Sequence, residues 1–205
     1  MLTTVDKALA VAAIAAVSIS TSASAENLVI NGSFEEPLVV SPVHAVYRTG
    51  TELTGWLYVG PGNGIVHQDS LYPSFSPVHS GNQAVQLEVP LDSLSQVLPT
   101  TIGTTYELTF FLSAHDQNGS LTRISFGSAI FDISASNLGF AAHSLLYTAV
   151  AATTTLSFQH VGSTAMYSYL DTVSVSSVPE PSSMIMLTLG LLCLGIVRQA
   201  CTSDA

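Results

Sequence analysis

The chain has 205 residues, 14 acidic and 4 basic, for a formal charge of −10 with histidine neutral. That balance excludes a nucleic-acid partner, because phosphate is met by lysine and arginine. Both cysteines, Cys193 and Cys201, lie near the C-terminus, so no disulfide braces the body and a Cys/His zinc site is excluded.

The chain opens with Lys7 ahead of ten apolar residues, Ala8 to Val17. Small residues follow and end in Ala23-Ser24-Ala25, just before Glu26. A basic residue, a short apolar core and an Ala-x-Ala site predict a secretory signal peptide over 1–25, cleaved after Ala25. The exported body then runs over 26–177, a usual size for one domain. Up to residue 178 it carries eleven carboxylates against Arg48 and Arg123. So acidic a surface suits calcium or neutral sugars.

The body reads as β throughout. Strand-like runs are expected at 27–30, 53–59, 64–68, 84–89, 94–98 and 106–112. They continue at 121–126, 129–133, 145–149, 154–159 and 169–175. Gly, Pro, Ser and Asn divide them, and no long amphipathic helix appears. Ala84 to Val89 alternates apolar and polar, the period of a half-buried strand. The longest gap, Glu35 to Leu53, contains Pro37 and Pro42. Many short strands with polar turns predict an all-β sandwich or jelly roll.

Few residues declare a chemistry. Trp56, the only tryptophan, is either a sugar-stacking platform or a core residue. Tyr72-Pro-Ser-Phe75 is a proline-rich loop with two aromatics, and loops on rigid sandwiches often bind. Tyr47, Tyr58, Tyr72 and Phe75 are the candidate platform, with His67 a further candidate beside a cleft. The six histidines lack metal-pair spacing. There is no Gly-x-Ser-x-Gly elbow and no phosphate loop, and nothing marks a glycosidase carboxylate pair. A non-enzyme is expected. Asp171 sits between Leu170 and Thr172 in the last strand, and Glu35 and Glu36 follow the first. A partly buried carboxylate needs a partner, and bases are scarce. Either a calcium ion with oxygen ligands or nearby backbone amides would serve.

The tail has three parts. Val178-Pro179-Glu180-Pro181 can neither extend a strand nor sit inside a helix. An uncharged run of 16 residues, Ser182 to Val197, follows and meets Arg198. As a helix it would measure roughly 24 Å, a marginal span of a bilayer core of about 30 Å. This arrangement resembles the PEP-CTERM sorting signal of Gram-negative bacteria. It departs from that pattern in having one arginine in place of a basic cluster. The resemblance implies a tail over 178–205 with a membrane helix about 182–197. It also implies Pro179, Glu180, Pro181 and Arg198 as the sorting motif and an exosortase-type enzyme as partner. The inner membrane would hold the protein before processing, and the cell surface or extracellular matrix afterwards.

The body resembles a galactose-binding-like β-sandwich. It is close to exported bacterial relatives of the plant cell-wall family of unknown function, and more distantly to xylan- and glucan-binding modules. Asn31-Gly-Ser-Phe-Glu-Glu-Pro37, Gly55-Trp56, Ile65-Val-His67, Ser80-Gly-Asn-Gln83, Gly103-Thr-Thr-Tyr106 and Leu170-Asp171-Thr172 carry the likeness in order. It implies a buried Trp56, polysaccharide binding, and a structural calcium with Glu35 and Asp171 as ligands. The expectation is an exported, non-catalytic polysaccharide-binding protein. The alternatives are an adhesive matrix protein without a sugar pocket and a small glycan-active enzyme.

Overall fold

The computed structural model describes residues 26–39, 44–47, 49–61, 65–69, 78–114, 119–135, 139–162 and 167–179, with backbone alone for 44–47 and 65–69. The expected signal peptide and the tail from Glu180 onward, with its membrane helix, lie outside the described residues.

Eleven strands form two antiparallel sheets. In chain order they are β1 (His44–Tyr47), β2 (Leu57–Val59), β3 (Ile65–Asp69), β4 (Gln83–Leu87), β5 (Ser93–Pro99) and β6 (Thr105–Ala114). Then come β7 (Ser120–Phe126), β8 (Ala129–Ala135), β9 (Ala141–Thr148), β10 (Thr153–His160) and β11 (Ser168–Ser177). One sheet has the order β1-β3-β4-β11-β6-β9 and the other β2-β5-β10-β7-β8. The last strand thus inserts between β4 and β6.

Alternation in the sequence decides which face each strand buries. In β6, Tyr106, Leu108, Phe110 and Leu112 point inward, while the residues between them are partly exposed. In β10, Leu156 and Phe158 do the same from the facing sheet. Phe110 and Phe158 meet edge to face with ring centroids 5.2 Å apart, joining the sheets. Burying one such ring stabilises by roughly 1.5–3 kcal/mol, so this layer is the main hydrophobic contribution. Trp56 packs between Phe34 and Phe158, at 5.5 and 6.3 Å, and is 1% exposed. It is a core residue and no sugar platform.

Two strand expectations differ from the structure. Residues 27–30 form no strand. The Asn27 side-chain carbonyl accepts from Val29 and Val175 amides, taking the place of a backbone ladder. The segment still lies along β11, through Leu28 N to Val175 O and Val173 N to Gly32 O, each 2.8 Å. Conversely, the proline-bearing gap from 35 to 53 holds β1, an edge strand paired with β3. Both prolines of the gap, Pro37 and Pro42, precede that strand in the sequence.

Tyr58 is the other correction. Expected on a ligand platform, it is 2% exposed and donates its hydroxyl to Asp92 Oδ1 at 2.6 Å. It lies on β2, where Leu57 and Val59 point outward and the middle residue must face the core.

Candidate functional site

The site is built around the loop from Val78 to Gln83, which leads into β4. Asp171 Oδ2 accepts the amides of His79 and Ser80, each at 3.0 Å. Glu35 Oε1 accepts the amides of Asn82 and Gln83, at 2.8 and 3.0 Å. Gly81 lies between the two pairs with φ +69°. A Cβ there would stand 2.3 Å from Glu35 Oε1, so the turn needs glycine for both conformation and space.

Local sequence places both acids. In Asn31-Gly-Ser-Phe-Glu-Glu-Pro37, Asn31 ties the loop through its amide to Glu36 and Thr54 backbone. Phe34 drops its ring into the core, which leaves Glu35 facing the 82–83 amides. Gln83 locks the other side: its Nε2 donates to Phe34 and Pro37 carbonyls, and its Oε1 accepts from Val39 N. Asp171 stands at a β-bulge between 171 and 174. There Thr172 adopts φ 53°, an uncommon and strained state for a β-branched residue. The bulge turns Asp171 toward its own Thr172 amide and the loop. It also brings Thr172 Oγ1 to 3.0 Å from His79 Nδ1 and 2.8 Å from Ser80 Oγ. Burial pushes the Asp171 carboxyl up to about 6, against the opposing pull of the Ser80, Thr172 and His79 amides.

The clamped loop completes an aromatic ledge. The His79 ring stacks on Phe111 with centroids 3.4 Å apart and 18° between planes. Phe140 meets the same imidazole edge-on at 5.8 Å. His79 is exposed and both phenylalanines are half-buried. Phe111 belongs to the six-stranded sheet, opposite Asp171 on β11 and Ala142 on β9. Rings partly open to solvent beside hydroxyls can take the C–H face of a pyranose while the hydroxyls bond its polar edge.

The predicted site residues are only partly united. Glu35 and Asp171 grip the same loop. Tyr47 lies on the edge strand β1 and His67 on β3 beside it, with His67 in register with Ala45 and with Val85. Tyr72 and Phe75 lie outside the described residues. Tyr58 belongs to the core. The ledge residues His79, Phe111 and Phe140 escaped the sequence reading. A signal existed for Phe111, because consecutive Phe110 and Phe111 in a strand must face opposite sides.

A calcium ion would compete with this arrangement. Glu35 Oε1 and both Asp171 oxygens already accept amide hydrogens, and N–H donors repel a cation. Among the described residues no group of three or more His, Cys, Asp or Glu side chains is placed to hold a metal. As they stand, Glu35 and Asp171 are engaged by backbone amides.

With this geometry in place, the comparisons are informative. The family model described as a protein of unknown function, DUF642, matches residues 27–176. The model of the PEP-CTERM protein-sorting motif matches residues 177–199. A search of curated proteins finds no match. Among solved structures, TmCBM61 in complex with beta-1,4-galactotriose is 17% identical with TM-score 0.52, over 75% of this chain and 99% of that one. A cyclase from Fischerella sp. TAU is 14% identical with TM-score 0.55, over 77% and 100%. A family 16 carbohydrate binding module is 12% identical with TM-score 0.50, over 73% and 99%. At such identities the likeness shows a shared sandwich fold.

Proposed function

Because this chain belongs to the DUF642 family and ends in a PEP-CTERM sorting motif, we propose that it is an exported, non-catalytic module that binds extracellular polysaccharide. Its tail would be recognised by an exosortase-type enzyme at the inner membrane. The body would then reach the surface or matrix of a Gram-negative cell.

One observation carries the binding reading: the stacked His79–Phe111 pair with Phe140 at its edge, bordered by the Thr172 and Ser80 hydroxyls. The carbohydrate-binding modules that share the fold support it, one of them solved with a galactotriose. Charge narrows the ligand. Arg123 is the one basic side chain of Lys or Arg type among the described residues, and it pairs with Asp132 at 2.8 Å on the other sheet. Among the described residues no such cation stands near the ledge to meet a uronate or sulfate, so a neutral chain fits best. Calcium at Glu35 and Asp171 is a separate proposal, in competition with the amide clamp.

A glycan array with the purified exported protein tests this. Retention on neutral polysaccharides, lost in Phe111→Ala, is the expected result. No retention on any glycan would favour an adhesive matrix role. Turnover of a bound polysaccharide would favour an enzyme, the reading to which the cyclase neighbour gives a place.

A further inference from the structure

We propose that the pole of the sandwich from which the sorting tail departs is a lipid-docking surface, seated on the bilayer through Ile102 and Val150 while residues 182–197 are embedded.

Two turns meet at this pole. Residues 100–104 join β5 to β6, and residues 149–152 join β9 to β10. Gly103 N donates to Ala149 O at 2.8 Å, Ala149 N to Thr104 O at 3.0 Å, and Thr100 N to Ala152 O at 2.9 Å. The turns therefore form one rigid tip. On it stand Ile102, 67% exposed, and Val150, 70% exposed, the two most exposed large hydrophobic side chains among the described residues. Single exposed aliphatics are ordinary, but two on adjoining turns at the tip of an acidic body call for a partner. Neither turn carries a charge. Among the described residues, Glu107 lies opposite Ser176 and accepts from Ser144 Oγ, and Glu26 precedes Leu28, which bonds Val175; in the tail, Glu180 follows Val178 by two residues.

The course of the chain names the occupant. Val178 N donates to Thr105 O at 2.8 Å, so β11 delivers the tail to this same pole. The uncharged run begins at Ser182. Four residues of fully extended chain reach about 14 Å at most. Once that run enters a bilayer, the tip is held within that distance of the lipid surface. Anionic headgroups repel the acidic remainder of the body, and the uncharged pole is the part free to approach. Two aliphatic side chains make a weak seat by themselves, but the tether makes their contact intramolecular. Cleavage of the tail would remove the tether and release the seat with it. The ledge lies about seven residues back along β11, roughly 20 Å from the lipid at the usual strand rise.

The inference rests on the tail entering the bilayer, and flotation reports that step separately. The full chain is reconstituted into phosphatidylethanolamine–phosphatidylglycerol vesicles with brominated acyl chains. Ile102→Trp and Val150→Trp should give blue-shifted emission and at least twofold stronger quenching than Leu121→Trp, at the opposite pole. Trp56 is buried and contributes a constant background. Equal quenching at all three positions in a chain that floats would overturn the docking surface alone. A chain that does not float would overturn both the docking surface and the membrane step. Amide hydrogen exchange on the unsubstituted chain keeps the test independent of the tryptophans. Residues 100–104 and 149–152 should exchange more slowly in vesicles than in the tail-free exported form, and equal rates would count against docking.

Discussion

Asp171 takes the amides of His79 and Ser80, and Glu35 takes those of Asn82 and Gln83, so two acids from opposite ends of the body grip one loop on either side of Gly81. The side chains of His79, Ser80 and Gln83 anchor the loop at Thr172 and Phe34, and its backbone position depends on these amide bonds. The ledge inherits that dependence through His79.

Removing Asp171 should therefore cost more than a surface carboxylate. Asp171→Ala leaves the His79, Ser80 and Thr172 amides without their acceptor, an expected loss of about 2–4 kcal/mol. Thermal melting measures it. The same melts with calcium and with chelator separate the clamp from a metal. A wild-type midpoint indifferent to chelator supports amide capture, whereas a fall with chelator that Asp171→Ala abolishes supports calcium.

Acidity gives a second handle on the same residue. The folded Asp171 carboxyl is raised to about 6 from an ordinary value of 3.8. Between about pH 4 and 6 the folded state holds more protons than the unfolded one. The contribution of Asp171 to stability is full below that window and is lost as pH rises through it. Asp171→Asn should flatten this part of the stability–pH curve in denaturant titrations. An unchanged slope would mean another group sets it.

His143 should act in the opposite direction. Burial lowers its pKa, its ring stacks on Phe110 at 5.2 Å, and its Nε2 is buried without a partner. The neutral form fits the fold, so its contribution is full above about pH 6.5, the ordinary value, and is lost as pH falls below that toward the lowered folded value. His143→Phe keeps the stack and should remove that loss, seen as a smaller drop in melting temperature on acidification.

Two glycines separate space from conformation. A Cβ on Gly32 would lie 2.0 Å from the Val173 carbonyl oxygen, on the residue whose N–H donates to Gly32 O and holds the first segment to β11. Gly103 has φ +83° and open space around it. Gly103→Ala should cost about 1 kcal/mol, the usual left-handed penalty. Gly32→Ala should cost several times more, because backbone must move. Comparable losses in denaturant melts would contradict the close approach.

Binding is expected to depend on the ledge and not on Tyr58. Phe111→Ala and His79→Ala should each weaken glycan retention roughly five- to thirtyfold, with melting temperature little changed for exposed His79. Stacking lost from one ring is worth about 1–2 kcal/mol, which converts to that range. Tyr58→Phe should lower stability through Asp92 and leave retention intact, as affinity electrophoresis can show.

The divisions between strands and the three-part tail were legible in the sequence, because turn residues and charge are local properties. They fixed the all-β class before any contact was known. The alternation at 84–89, by contrast, predicted a half-buried strand, and all five residues of β4 are buried in the sheet between β3 and β11. Tyr58 shows the limit: in a strand of three residues, period 2 leaves both faces open until neighbours choose. The segment 27–30 shows another, since one asparagine carbonyl replaced a backbone ladder. The meeting of Glu35, Asp171 and residues 79–83 is decided by the tertiary structure alone. It needs β11 to insert between β4 and β6, which sets buried Asp171 beside the loop that leads into β4. Strand order is a global packing outcome that no local pattern encodes. For that reason the sequence determined which segments are strands and that Glu35 and Asp171 need partners, and the folded sheet decided that the partners are amides of one loop.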